Sequence, residues 1–306
     1  MDTVYVFLST YNGEQYLKRQ LDSILAQRDV DVRLWIRDDG SKDGTVDIIC
    51  DYQKRCGNIT LFRGENLGYV KSFMWLVTHC APEKGSYYAF SDQDDVWDGE
   101  KLASGVRMLK QLDASQPNLY YSDLKVVDQD ENFIRRANTW EGTIDKYMFS
   151  VFIGIRGCTM VYNDVLQAML QAHPVKDISG HDNYIGLVAF WLGNVVYDPN
   201  AYINYRQTGR NLSITGTTKW NKLKKNFSYL KIRMTTRKCI HERNARELIA
   251  NYGEQYRARL EDLGAVAYYR ESLKRRLSLL FNGKFKKGFS LPIRVFNDLF
   301  ILCGKL

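Results

Sequence analysis

The stretch FSDQDDVW, residues 90–97, sets three carboxylates within four positions: Asp92, Asp94 and Asp95. Held that close they repel one another, and a fold keeps them only beside protons, arginine forks or a cation. Carboxylate oxygens are hard donors that suit Mg2+ or Mn2+, ions that commonly also take phosphate oxygens. An Asp-x-Asp pair after an apolar strand is therefore a candidate holder for a metal on a diphosphate, where the ion would neutralise a leaving group. The competing reading is a solvated acidic loop, extended by Asp98 and Glu100.

Such a cluster needs elements to position it. VYVFL (4–8), VRLWIR (32–37), NITLF (58–62) and SYYAF (86–90) are short apolar runs and read as buried strands. Between them, 13–27 places Tyr16, Leu17, Leu21, Ile24 and Leu25 at helical spacing. Residues 43–56 open on Asp43-Gly44-Thr45, a helix-start signal, and 68–80 form a third helical stretch. This βαβαβαβ order predicts an α/β fold around a mainly parallel central sheet flanked by helices. Ligands on such sheets bind beyond the carboxyl ends of the strands. The polar clusters STYNGE, DDGSKDGT, GENLGY and SDQDD fall there, one after each strand. Further along, 118–128 reads as one or two strands, 152–162 as an apolar segment broken by glycine, 180–193 as a helix starting near His181, and 194–207 as β-rich. From about 219 the pattern is helical, with Tyr252, Tyr256, Leu260, Leu263 and Ala267 on one stripe.

The 306 residues suffice for one large α/β domain plus an extension, and charged residues at 25% are ordinary for a globular chain. No apolar run reaches about 18 residues, and residues 1–9 lack a basic segment followed by a long apolar one, so neither a transmembrane helix nor a signal peptide is expected. The six cysteines are scattered, without a C-x-x-C pair, and read as reduced thiols. The net charge of +8 is uneven: residues 219–306 carry 21 Lys and Arg against seven Asp and Glu, whereas 1–218 are net acidic. The expected division is a body at 1–218 and a basic helical extension at 219–306.

STYNGEQYLKRQLDSILAQ, IRDDGSKDGT, NLGYVKSF, SDQDDVW and GHDNYI, in that order over roughly residues 3–210, resemble the family 2 inverting glycosyltransferases. The resemblance implies the GT-A fold of nucleotide-diphospho-sugar transferases. SDQDDVW with RGCTMVY and NYRQTGRN is most similar to the bacterial rhamnosyltransferase branch, which uses dTDP-L-rhamnose. By this resemblance Thr10, Tyr11, Asn12 and Glu14 line the base and ribose pocket, and Asp39, beside Asp38, binds the base edge. Asn66, Gly68 and Lys71 contact the donor, Lys71 also being suited to a phosphate. Asp92 contacts ribose or sugar, Asp94 holds Mg2+ or Mn2+, and Asp95 supports that ligand or touches the donor sugar. Asp182 is the base that takes the acceptor hydroxyl's proton as its oxygen attacks C1; a helix cap is the plainer reading. Trp97, Arg156, Cys158, His181, Arg206 and Arg210 are candidate acceptor or phosphate contacts. One departure stands out. Where the branch often has a histidine, in YRQHG, this chain has Thr208, which leaves the metal to Asp94 and phosphates or shifts its role to cations such as Arg206 or Arg210.

The implied partners are a nucleotide sugar, dTDP-L-rhamnose or a UDP-sugar, and an oligosaccharide or lipid-linked glycan acceptor. The extension mixes its basic residues with Trp220, Phe227, Tyr229, Phe281, Phe285, Phe289, Phe296 and Phe300. That mixture points to the cytoplasmic face of a membrane, with an interface between two copies of the chain as the competing reading. No nucleic-acid-binding module is recognisable. A UDP-dependent hexosyl- or HexNAc-transferase and a non-catalytic nucleotide-sugar-binding protein remain the alternative functions.

Overall fold

The computed structural model describes residues 1–137, 144–152, 155–207 and 239–306. Thr208, Arg210, Trp220, Phe227 and Tyr229 lie outside them. The chain divides into two compact units, one of residues 1–141, 155–175 and 181–207, the other of 142–154, 176–180 and 208–306.

The first unit is built on the expected alternation. Strands β1 (Asp2–Thr10), β2 (Val30–Asp38), β3 (Ile59–Arg63) and β4 (Tyr87–Ser91) pair in parallel in the order β3-β2-β1-β4. Helices α1 (Leu17–Leu25), α2 (Thr45–Arg55) and α3 (Tyr69–His79) make the crossovers. The helix expected over 13–27 starts only at Leu17, because Gly13–Tyr16 form a turn whose Gly13 carbonyl accepts from Tyr16 N and Leu17 N. From Leu17 on, Leu17, Leu21 and Ile24 are buried against the sheet at helical spacing.

The second half of the sheet is mixed. β6 (Asn118–Val127) and β9 (Asn194–Arg206) pair in parallel, while β8 (Met160–Asn163) runs antiparallel between β4 and β6. The apolar segment at 152–162 thus contributes a 3-10 turn, Gly157–Thr159, followed by a strand. Val96–Trp97, read from the sequence only as the end of the acidic stretch, form β5 on β9, and β7 (Phe133–Arg136) pairs with β6. Helices α4 (Lys101–Leu109), α5 (Lys146–Phe149), α6 (Asp164–Ala172) and α7 (His181–Leu192) complete the described elements up to residue 207, α5 belonging to the second unit.

In the second unit the expected stripe is buried at Tyr252, Leu260, Leu263 and Ala267. Tyr252, Leu260 and Ala267 lie on three helices, Ile240–Tyr252, Arg257–Leu260 and Gly264–Ala267, rather than on one, with Leu263 just before the last. Phe285 and Phe300, expected to reach a membrane, are core residues with 3% and 2% exposure, beside buried Ile301 and Leu306. No helix among the described residues is long and apolar enough to cross a membrane.

Candidate active site

Parallel pairing aligns Thr10, Asp38 and Arg63 across three strands, so the loops that follow them leave one edge, next to the loop after Ser91 on β4. Backbone donors at that edge need partners, and the polar side chains of the loops supply them. Asp38 accepts from Thr10 Oγ1 (3.1 Å), Ser41 N (2.9 Å) and Ser41 Oγ (2.5 Å). Asp39 is ion-paired with buried Arg37 and accepts from Leu67 N (2.9 Å) and Gly68 N (2.8 Å). Gly68 has φ +79°, a conformation that suits glycine and aims its N–H at that carboxylate. Asn12 Oδ1 accepts from Lys42 N (2.9 Å) and Glu14 Oε2 from Gly44 N (2.6 Å), which ties the first loop to the start of α2. Thr10, Asn12, Glu14, Asp39 and Gly68 are therefore brought to one edge of the sheet, and much of their hydrogen-bonding capacity goes to holding the loops. Tyr11, 45% exposed, Asn12, Glu14, Asn66 and Lys71 are exposed to solvent, whereas Thr10 and Asp39 are buried.

The acidic stretch leaves β4 at the same edge. Asp92 and Asp94 are half-buried, and Asp95 is fully buried, its Oδ2 without a hydrogen-bond partner among the described residues. Burial, then the charges of Asp94 and Asp182, pushes the Asp92 pKa up to about 7. Burial also raises Asp94, and burial with the charges of Asp92 and Asp94 raises Asp95. The positive charge of Arg156, whose guanidinium lies over the Tyr205 ring at 5.8 Å, opposes the shift of Asp92. One oxygen each of Asp92 and Asp95 and Sγ of Cys158 lie within 4.8 Å of one another. Burial and the two carboxylates drive the Cys158 thiol well above its ordinary range, so it stays protonated near neutral pH and is a poor metal ligand. The donor chemistry left is hard carboxylate oxygen with surplus negative charge, and it fits Mg2+ or Mn2+.

Asp182 enters from the first turn of α7, where Asn183 N (2.8 Å) and Asn183 Nδ2 (3.1 Å) donate to its Oδ1. Among the described residues none donates to its Oδ2. His181 is stacked on Phe73 at 4.2 Å and set edge-on to Phe90 at 5.0 Å. Burial lowers its pKa, so it is a neutral packing residue at the base of Asp182.

Two expected contacts hold other positions. Arg206 is 4% exposed and donates to Asp94 O (3.0 Å), to Gln129 O and to Glu131 Oε1 (3.0 Å), which fixes the acidic loop rather than meeting a phosphate. Trp97 is buried, its ring under Lys101 Nζ at 3.6 Å, and is not placed to touch an acceptor. Lys101 itself went unseen in the sequence. It is fully buried, near Asp95 and Cys158, and burial lowers its pKa to about 7. Tyr69 also went unseen: 47% exposed, it lies edge-on to His181 at 6.3 Å, and burial with the charges of Asp182 and Asp92 raises its pKa. Its place in NLGYVKSF, just after the loop glycine, was the available signal.

Gly157 sets the position of Asp182. A Cβ there would lie 2.6 Å from His181 Nε2 and 3.5 Å from Asp182 Cβ. The imidazole is boxed in by Phe73 and Phe90 and cannot swing away, so α7 must shift. Gly157→Ala should lower kcat by about 10-fold or more and cost about 1–3 kcal/mol of stability; native kcat with a native melting temperature would mean that the turn is not a constraint.

The shift of Asp92 gives a pH signature. Its folded pKa, about 7, lies above the unfolded value near 4. The stability tied to its protonated form is full below pH 4 and is lost as pH rises through 7. In metal-free protein, melting temperature should fall from pH 5 to pH 7.5 more steeply than in Asp92→Asn, and Mg2+ or Mn2+ should flatten the fall. Parallel curves for the two proteins would remove Asp92 as the titrating group.

The model of glycosyl transferase family 2 matches residues 5–170. The dTDP-rhamnosyl transferase RfbG of Shigella flexneri is 36% identical over 105 residues, which is 33% of this chain and 36% of that protein. The glycosyltransferase alr2836 of Nostoc sp. is 28% identical over 217 residues, 68% of this chain and 66% of that protein. The chain thus spans about a third of the first relative's length and just under two thirds of the second's. Among solved structures, S. aureus TarS superposes with a TM-score of 0.56 at 16% identity, over 92% of this chain and 46% of that one. TarS 1–349 in complex with UDP-GlcNAc gives 0.51 at 14% identity, over 92% and 79%. Similarity at that identity speaks for the fold, and the fold is GT-A. Since the family model covers more than half of the residues, and the strand-end loops it spans carry the acidic stretch, the chain belongs to glycosyl transferase family 2.

Proposed function

We propose that the chain is an inverting glycosyltransferase that moves L-rhamnose from dTDP-L-rhamnose to a hydroxyl of a growing cell-surface polysaccharide or lipid-linked glycan, at the cytoplasmic face of a membrane. The observation that carries the reading is that Asp182 lies close enough to Asp92 for its charge to raise that carboxyl's pKa, with one carboxylate oxygen free of hydrogen bonds from the described residues. Asp182 takes the proton of the acceptor hydroxyl as that oxygen bonds to C1. The bond from C1 to the diphosphate breaks on the opposite face, and the nucleoside diphosphate leaves with the electron pair. Asp94, with Asp92 beside it, would hold the divalent ion, whose chemistry is to neutralise charge on the diphosphate. Lys71 and Arg156 add positive charge for phosphates, Tyr11 offers a ring to the base, and Tyr69 borders the gap between donor and base. The similarity to the Shigella rhamnosyl transferase supports the sugar, and the basic charge of 219–306 supports the membrane.

A UDP-sugar donor is the second reading, favoured by the fold shared with TarS in complex with UDP-GlcNAc. Nucleoside diphosphate release across a panel of dTDP-L-rhamnose, UDP-glucose, UDP-galactose and UDP-GlcNAc tests both. Highest kcat/KM with dTDP-L-rhamnose and inversion at C1 by NMR are expected. Preference for a UDP-sugar would replace the rhamnose assignment, and binding without turnover over broad acceptors would make the chain a nucleotide-sugar-binding protein.

A further inference from the structure

Two helices of the second unit, Leu273–Phe281 and Leu291–Leu302, each leave an apolar stripe in solvent. On the first, Leu273, Leu277 and Phe281 are 66%, 37% and 76% exposed. On the second, Leu291, Val295, Leu299 and Leu302 are 70%, 49%, 44% and 44% exposed. At 100° per residue, spacings of four and three keep each set within an arc of about 80°. The core of the unit is already filled from other positions on these helices and from the segment joining them: Leu279, Leu280, Phe285, Phe300 and Ile301 are buried. The stripes are therefore surplus to the packing of the described residues, and contiguous exposed apolar surface of this kind marks a contact.

The charge around the stripes says what covers them. Residues 273–306 hold eight basic side chains and one acidic one, Asp298, which is paired with Lys286. Arg275 and Lys284 are also in ion pairs, whereas Lys274, Lys287 and Arg294 are exposed beside or between the stripes. Apolar rows edged by cations match the boundary between phosphate headgroups and acyl chains. A second copy of the same surface would bring positive charge against positive charge. So would residues 208–238 of this chain, which hold nine basic side chains and no acidic one. We propose that the two stripes form an interfacial membrane-binding face, occupied by the surface of a bilayer containing anionic phospholipid. The assignment holds whichever sugar the first unit transfers.

Removing the chain beyond about residue 280 would be a poor test, because Phe285, Phe300, Ile301 and Leu306 would go with it. Substitution at exposed positions keeps the core. The full chain should sediment with vesicles of phosphatidylcholine and phosphatidylglycerol at about 7:3, and at least about 10-fold more weakly with phosphatidylcholine alone. Leu277→Gln with Phe281→Gln, and separately Leu291→Gln with Val295→Gln, should each lower the partition coefficient about 10-fold. Lys287→Glu with Arg294→Glu should erase the preference for the anionic lipid, as should about 0.5 M salt. Donor hydrolysis and melting temperature should stay at native values in all three. Binding unchanged by the glutamine variants would overturn the proposal. So would light scattering that finds a dimer split by those variants, with no vesicle binding by the native chain: the face would then belong to a second copy.

Discussion

Asp182→Asn should transfer sugar about 10² to 10⁴ times more slowly than the native protein while binding nucleotide as before. The amide keeps the size of the carboxylate and can still accept from Asn183 N, so α7 should hold its first turn. What it cannot do is take a proton. The base touches the acceptor oxygen and not the nucleotide, so calorimetric affinity for dTDP or UDP should stay within about twofold, a change far below the 1.4 kcal/mol that a tenfold loss represents. Native transfer by this variant would return Asp182 to the plainer role of a helix-start residue and send the search for a base elsewhere.

Asp94→Ala should fail differently. Turnover should drop by orders of magnitude, since the leaving diphosphate loses the cation that Asp94 would hold, and nucleotide affinity should weaken with it. The loop is expected to survive the substitution, because Arg206 grips the backbone carbonyl of Asp94 and not its side chain. That makes the affinity loss readable as chemistry rather than as collapse. Measured side by side, the two variants separate a group that acts on the acceptor from one that acts on the donor. If Asp94→Ala binds nucleotide and turns over at native levels with Mg2+ or Mn2+ present, the acidic stretch is a solvated loop and the metal role is lost.

The first half of the fold could be read from the chain because its signals are local. Apolar runs at 4–8, 32–37, 58–62 and 86–90 with helical spacing between them leave few arrangements other than parallel strands with crossovers. That arrangement alone says that Thr10, Asp38, Arg63 and Ser91 end near one edge, which is why the shared edge of the polar loops could be read from the chain. The start of α7 at His181 was equally legible. β8 was not: four residues inside an apolar segment carry no period, and their antiparallel place is set by β4 and β6, about 40 to 75 positions away.

Residue type and spacing determined which side chains gather at the edge; only the tertiary structure decided which of them are free to act there. Asp39 faces Arg37 and two loop amides, and Arg206 faces the carbonyls of Asp94 and Gln129, so both serve the scaffold. The same holds in the second unit, where Phe285 and Phe300 went inside while Leu273, Phe281 and Leu291 stayed out. The physical reason is common to these cases. A periodic pattern is fixed by neighbours three or four positions away, whereas a buried polar group must find its partner wherever packing brings one. For Arg206 and Asp94 that partner is 112 residues distant in the chain.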